Sequence, residues 1–273
     1  MTRLAIIAGQ GNLPLQVARA ADELGYDVVI FPIKGQADAM FDGFAFQPIR
    51  LGAIGQTRDF LIRNDCRQMV MVGKVVWPSL GVLRPDAAGT NLLGKSVKRG
   101  DDSMLRLISQ FFAENGIKTL PVNIFLEGRA MPFGHVAGPS LDNYGKSLIE
   151  IGVSILARLG ACDVGQSVIV QNGRVLAIEA AEGTSDMLAR SANLIDTDAG
   201  PAVFVKMQKS DQDHRLDTPF VGVETMRAAA AAGINILAIE CGAVMLADDL
   251  QKLTDICTKY RISFVGISAT AGT

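Results

Sequence analysis

The chain is short of the residues that carry metal and redox chemistry. It has two histidines, His135 and His214, in 273 residues, which argues against a histidine-rich zinc site. Its four cysteines (Cys66, Cys162, Cys241 and Cys257) are scattered through apolar settings with no CxxC spacing. They read as buried thiols of a reducing cytoplasm, not as a disulfide framework. Trp77 is the single tryptophan, and the aromatic share is 6%. No basic tract exists and the net charge is −2, so a nucleic-acid-binding surface is not favoured. No apolar run approaches the roughly 18–20 residues that a membrane span requires. The opening MTRLAIIAGQG is too short in apolar residues for a signal peptide and ends in glycines, so it reads as a strand of a cytoplasmic protein.

What is present is apolar material. A hydrophobic content of 49% against 20% charged describes a globular chain with an ample core, long enough for one large domain or two ordinary ones. Arg3–Ala8 reads as a buried strand, residues 9–12 as a tight turn, and residues 13–24 as a helix with Leu15, Ala18 and Leu24 inward. Pro14 suits the first helical turn, where its missing N–H costs nothing. A second strand over 26–32 completes the opening of a doubly wound sheet. The turn Gly9-Gln10-Gly11-Asn12 keeps two of the three glycines of a dinucleotide fingerprint, and FPIK at the end of strand two brings no acid for a ribose. A phosphate or nucleotide on the amides after Asn12 suits this turn better than a dinucleotide.

Further strands are expected over 47–51 and Gln68–Val72, with a helix over 55–64 between them. Lys74 then leaves the carboxyl end of a strand, the usual ligand side of such a sheet. Residues 79–91 read as turn-rich, and a helix is expected over 101–115. Asp101 and Asp102 suit its N-terminus, while adjacent carboxylates there also suit a cation or a sugar hydroxyl. Residues 121–144, with Pro121, Pro132, Pro139, Gly128, Gly134 and Gly138, form the best linker region. The expected domains are 1–130, Rossmann-like with a mostly parallel sheet, and 140–273, a second α/β domain, with a cleft implied between two such halves. His135 in the linker reads as a surface residue.

The second half opens with a helix over 141–159 and a hairpin of Ser167–Gln171 with 174–179 around Asn172-Gly173, a strong type I′ turn signal. Glu179 ends an apolar strand, and Glu182, Gly183 and Thr184 enter a helix for which Thr184 is a fair cap. Arg190 reads as solvated. After a strand over 202–205 comes the polar loop KMQKSDQDHRLDTPFVGVET at 206–225, with Lys206, Lys209, Asp211, Asp213, His214, Arg215 and Asp217. Mixed charge between two apolar elements suits anion chemistry, and equally a solvated, self-neutralising loop. A helix over 222–232, a strand over 235–240 ending in Glu240, a helix over 248–260 and a strand over 262–267 close the chain.

Six segments, IAGQGNLP, VGKVVWP, KRGDDSML, GQSVIVQ, AIEAAEGT and QDHRLDTPFVGVET, occur in an order and spacing that resembles the two-domain UDP-2,3-diacylglucosamine pyrophosphatases of lipid A biosynthesis. This is the type unrelated to the calcineurin-like metallophosphoesterases, and the resemblance spans nearly the whole chain. Ser185 stands where the family commonly has an aspartate after EGT, leaving Asp186 one place later, and Thr218-Pro219 stands where Leu-Pro is frequent.

The resemblance implies Mg²⁺-dependent hydrolysis of the UDP-linked diacyl sugar to UMP and the diacyl sugar 1-phosphate, with water attacking the sugar-side phosphorus. It also implies that Asp217, in the R-x-D-x-P pattern, matters for catalysis. A pyrophosphate would repel a lone carboxylate, so Asp217 suits holding Mg²⁺ or orienting water. Arg215 and Asp213 are expected beside it, with Asp213 and Glu179 as further metal candidates. Lys206 and Lys209 are expected as phosphate clamps. Gly9, Gln10, Gly11, Asn12, Lys74, Asp101, Asp102 and Thr184 complete the expected substrate contacts. Ten methionines and twelve phenylalanines supply material for an acyl groove. Peripheral membrane contact and a homodimer stay open. The competing readings are a Rossmann-type oxidoreductase, disfavoured by the incomplete fingerprint, and a binding protein that retains its ligand without turnover.

Overall fold

Arg3–Ala8 (β1, RLAIIA) is apolar on both faces, which suits the inside of a parallel sheet and not a half-solvated one. The structure is a computed structural model, and it describes the chain apart from residues 77–79, 97–100, 161, 163, 210–215, 217 and 269–273. The chain divides into two compact units, one of Met1–Glu127 together with Leu216 and the other of Gly128–Gln212 with Thr218–Thr273.

In the first unit β1 is followed by α1 (Leu13–Glu23), β2 (Asp27–Pro32), β3 (Ala45–Phe46), α2 (Ile54–Arg63), β4 (Gln68–Val72), α3 (Leu80–Leu83), α4 (Ala87–Ser96), α5 (Asp101–Glu114), β5 (Lys118–Thr119) and a 3₁₀ turn, Val122–Phe125. The five strands pair in the order β3-β2-β1-β4-β5, all parallel. The order reverses between β1 and β4, the switch point at which open α/β sheets place their ligands. Ala5, Val29, Phe31 and Met69 of the strands meet Leu61 and Phe112 of the helices in one core.

Several expectations change here. Leu24 is 60% exposed because α1 ends at Glu23, and Leu15 is half-buried; Ala18 is buried as expected, together with Pro14, Val17 and Ala21. The strand expected over 47–51 shrinks to Ala45–Phe46 and an isolated bridge between Ile33 and Ile49. The Gln47 and Ile49 N–H groups still donate to the Ile30 and Pro32 carbonyls of β2, so Pro48 between them faces the outer edge, where a missing N–H costs nothing. The stretch expected as turns holds α3 and α4. Asp86 accounts for it: its Oδ1 accepts the Gly89 N–H at 2.8 Å and its Oδ2 the Gln56 N–H at 3.0 Å, serving the first turns of α4 and α2 together. A Cβ on Gly89 would stand 2.3 Å from the Gly52 carbonyl, so this glycine permits close packing and does not mark a loop.

The second unit runs β6 (Gly134–Ala137), α6 (Asn143–Gly160), β7 (Ser167–Gln171), β8 (Arg174–Ile178), α7 (Thr184–Ser191), β9 (Ala202–Lys206), β10 (Phe220–Val221), α8 (Val223–Ala232), β11 (Ile236–Glu240), β12 (Met245–Leu246), α9 (Leu250–Tyr260) and β13 (Ser263–Ile267). A six-stranded sheet has the order β6-β13-β11-β9-β7-β8, with β9, β11 and β13 parallel and β6 and β7 antiparallel to their neighbours. Asn172 and Gly173 both have positive φ, as the type I′ turn between β7 and β8 requires. Strand alternation sorts the two cores. Val203 and Val205 face Leu148, Val153 and Leu156 of α6, whereas Ala202 and Phe204 face Met187 of α7 and Met226 of α8. Lys206 has the parity of Phe204 and therefore belongs to the α7 side.

Residues 121–144 are built into these units. The 3₁₀ turn sets Phe125 edge-on to Tyr26 at 5.7 Å, and β6 pairs with β13. His135 is exposed, with Nε2 3.1 Å from the carbonyl oxygens of Gly138 and Pro139. All four cysteines are free thiols, but only Cys66 and Cys257 are buried; Cys162 is exposed on the turn after α6 and Cys241 is half-buried.

Candidate active site

The residues singled out for chemistry gather at the carboxyl ends of β1 and β4 in the first sheet and of β8 and β9 in the second. In the first unit the chain leaves β1 through Gly9-Gln10-Gly11 and leaves β4 through Gly73-Lys74, and the two exits are bonded backbone to backbone. Gly9 N–H donates to Val72 O at 2.9 Å, Gln10 N–H to Lys74 O at 2.8 Å, and Lys74 N–H to Gln10 O at 3.3 Å. A Cβ on Gly9 would come within 2.6 Å of Lys74 O, and one on Gly73 within 2.8 Å of Gln10 O. The glycines are therefore required by the approach of two backbones. The Lys74 side chain is exposed, as are Gly11 and Asn12.

The loop after β2 joins this knot. The Gln36 carboxamide donates to Val76 O at 2.8 Å and accepts from Val76 N–H at 2.7 Å. Two residues later, Asp38 Oδ1 accepts the Gly11 N–H at 2.8 Å. Sequence reading found neither residue, because both lie past the strand end in a loop without a pattern.

In the second unit the site is made of side chains. Lys206, at the end of β9, is buried, and its ammonium donates to Thr184 Oγ1 at 2.9 Å. The Thr184 hydroxyl donates in turn to Glu179 Oε1 at 2.8 Å, and Glu179 Oε2 takes the Gln166 N–H at 3.4 Å. A hydroxyl has one proton, so Thr184 is a fixed link between a cation and an anion. Burial of an ammonium requires such partners. Ser167, directly across the ladder from Lys206, is fully buried, and its Oγ has no partner among the described residues. On the neighbouring strand, Glu240 Oε2 accepts the Gln208 N–H at 2.7 Å.

The local chain explains Thr184. Gly183, with φ 80°, is the residue before α7, so Thr184 is the first helical residue and its hydroxyl turns to Glu179 instead of capping. Gly165 lies against this strand end, where a Cβ would sit 1.9 Å from Glu179 O. Arg190 does more than solvate: it bonds Glu182 Oε1 at 2.8 Å and Ile178 O at 2.8 Å. That hydrogen bond holds the Glu182 carboxyl below its ordinary range.

The expected residues thus fall into separate groups. Gly9, Gln10, Gly11 and Lys74 gather at the β1–β4 exits, with Asn12 next in the chain, while Glu179, Thr184 and Lys206 form one hydrogen-bonded chain. Lys209 is half-buried three residues beyond Lys206. Asp211, Asp213, His214, Arg215, Asp217 and Trp77 lie outside the described residues, as do the side chains of Asp101 and Asp102 at the start of α5. Among the described residues no group of three His, Cys, Asp or Glu could hold a metal ion.

The sequence pattern described as the LpxI N-terminal domain matches residues 3–129, and that of the LpxI C-terminal domain matches residues 132–265. The chain belongs to the LpxI family. The UDP-2,3-diacylglucosamine pyrophosphatase LpxI of Caulobacter vibrioides is 29% identical over 256 residues, 91% of each chain. Among solved structures, a GalE-like L-threonine dehydrogenase from Cupriavidus necator is 12% identical with a TM-score of 0.28, over 54% of this chain and 46% of that one. A UDP-glucose 4-epimerase from Brucella ovis in complex with NAD is 12% identical with a TM-score of 0.32, over 100% and 88%. Similarity this remote carries no argument about the site. The family boundary between 129 and 132 falls beside the division between the two units at Glu127.

Proposed function

We propose that this LpxI-family chain hydrolyses the pyrophosphate of UDP-2,3-diacylglucosamine to UMP and 2,3-diacylglucosamine 1-phosphate, a step of lipid A biosynthesis. The observation that carries the reading is the 29% identity to the Caulobacter pyrophosphatase along 91% of both chains, which takes in both halves of this one. The chemistry of the strand ends supports it. A pyrophosphate needs cations held in place, and Lys206 is a buried cation whose direction is fixed by Thr184 and Glu179. Lys209 and Arg215 are the further phosphate contacts in this reading. Gly9, Gln10, Gly11, Asn12 and Lys74 serve the nucleotide, and Asp101 and Asp102 serve sugar hydroxyls.

Asp217 is the proposed catalytic carboxylate, with Asp213 and Arg215 beside it in sequence. Asp217, Asp213 and Glu179 are the carboxylates that would hold Mg²⁺, an ion that takes hard oxygen donors from carboxylates and substrate phosphates. Glu179 keeps lone pairs on both oxygens beyond its bonds to Thr184 and Gln166, so it has acceptor capacity left for a cation. Bound there, Mg²⁺ would neutralise charge on the phosphates. The residues themselves bind and orient. Lys206 fixes one phosphate oxygen, and Asp217 directs water at the sugar-side phosphorus. With two acyl chains on the substrate, the protein would work from the cytoplasm in peripheral contact with a membrane; among the described residues no helix is long and apolar enough to cross one.

Incubation with the UDP-diacyl sugar and Mg²⁺ should release UMP, and removal of Mg²⁺ with a chelator should stop it. No UMP above the enzyme-free control sinks the reading. Asp217→Ala should lower kcat by ~10²-fold or more with substrate still bound, the pattern of a lost transition-state contact. In ¹⁸O water the label should enter the sugar phosphate, and its appearance in UMP would contradict sugar-side attack.

A further inference from the structure

We propose that Asp38 is the acceptor for the ribose hydroxyls of the uridine nucleotide, a role that rests on the hydrolase reading and names one contact within it. An acid for a ribose is absent from the end of β2, which closes as Phe31-Pro32-Ile33-Lys34. The fold supplies one six residues after the strand. The β2 loop turns back across the strand ends through Gly35, with φ 77°, and the Gln36 carboxamide ties it to both the N–H and the carbonyl of Val76. Asp38 is thereby brought to the turn that leaves β1, at the edge where the strand order reverses.

One carboxylate oxygen is spent there. Oδ1 accepts the Gly11 N–H at 2.8 Å, and Oδ2 has no protein partner among the described residues, on an exposed side chain. This arrangement decides which ligand group can approach. A phosphate on the Gly11 N–H would have to displace a carboxylate and then sit against its charge at hydrogen-bond range. A vicinal diol meets no such repulsion, since its hydroxyls donate to a fixed, charged acceptor. The ligand chemistry at this point is therefore a neutral polyol, the ribose of a nucleotide whose phosphates lie elsewhere. Anchoring one oxygen to the turn fixes the other beforehand, which lowers the ordering cost of the contact.

Calorimetric binding of UMP, 2′-deoxyuridine 5′-monophosphate and 3′-deoxyuridine 5′-monophosphate to the full-length protein tests the assignment, beside Asp38→Asn and Asp38→Ala. Asn keeps an oxygen for the Gly11 N–H but turns the open acceptor into an NH₂ donor, so the turn survives while the contact is lost. The wild type should bind at least one deoxy nucleotide roughly 10- to 100-fold more weakly than UMP, the scale of a hydrogen bond to a charged group. Both variants should bind UMP weakened by a similar factor, no longer distinguish the deoxy forms, and melt near the wild-type temperature. Equal affinity of the wild type for all three nucleotides overturns the proposal, as does discrimination that persists in both variants. Tighter UMP binding by Asp38→Asn also overturns it, showing a carboxylate that competes with phosphate. Steady UMP release from the diacyl substrate alongside any of these results would leave the hydrolase reading standing, whereas a wild type that neither binds nor releases UMP brings down both.

Discussion

The two sheets end in different kinds of surface. In the first unit the β1 and β4 exits are joined through backbone N–H and C=O groups, and the close approach is possible only because Gly9 and Gly73 lack a Cβ. In the second unit the strand ends carry charge on side chains, with Lys206, Thr184 and Glu179 linked head to tail. A backbone surface is rigid and tolerates exchange of most side chains, but no added methyl group. A side-chain chain responds to each member in proportion to its charge. The first suits holding a ligand's constant part, and the second suits acting on the phosphates.

The sharpest way to break the comparison is at Lys206. Lys206→Met keeps the length and the apolar stem but removes the cation, and turnover of the diacyl substrate should fall on the order of 10²-fold, as when one preorganised donor to developing charge is deleted. Thr184→Val leaves the ammonium and cuts its link to Glu179, so a loss of roughly tenfold is expected, with Thr184→Ser restoring most of it. A Thr184→Val enzyme as slow as Lys206→Met would mean that Thr184 contacts substrate and does not act through the lysine. Steady-state kinetics on the three variants measures both steps.

The counterpart in the first unit is Gly73→Ala. Gly73 has φ 98°, and the new Cβ would stand 2.8 Å from the Gln10 carbonyl and 2.9 Å from Gly9 C. Both the left-handed backbone and the collision with main chain oppose the substitution, and a loss of roughly 1–3 kcal/mol of stability is expected in urea unfolding. UMP affinity should fall with it, because the exits would move apart. A variant as stable as the wild type would show that the knot is looser than its distances say.

What could be read from sequence follows the same division. Apolar runs such as Leu4–Ile6 announce strands because burial on both faces needs no partner to be named, and Asn172-Gly173 announces its turn because few residues take positive φ twice. Glycines mislead where they serve packing, as at Gly52 and Gly89 between α2 and α4. The chain of Lys206, Thr184 and Glu179 was partly legible. Strand parity gives the face of Lys206, but that α7 begins on that face, and so that Thr184 meets it, depends on the order of β7, β8 and β9 in the sheet. Asp38 and Gln36 had no signal at all, since a loop's path over a sheet edge leaves no period in the sequence.

The smallest expected effect uses one chemical group placed in both units. Cys66 in the first and Cys257 in the second are buried thiols, pushed up by loss of hydration to about 11 and about 12. In the unfolded chain a thiol ionises near 8.5. Between that value and the folded one, the unfolded state has released a proton that the native state keeps, so stability falls as pH rises. Below the unfolded value both states are protonated and the term is constant. Urea midpoints measured from pH 7 to pH 10 should therefore hold steady and then decline above about 8.5. Cys66→Ala and Cys257→Ala should each remove part of that alkaline slope. Thiol labelling separates the sites directly: at pH 7.5 the exposed Cys162 should react first, Cys241 more slowly, its thiol raised by burial and by the Glu240 charge, and the two buried thiols only on unfolding. Labelling of Cys66 well before Cys257 would show that the first unit opens independently of the second, whereas equal protection would show that the backbone knot and the side-chain chain belong to cores of like stability.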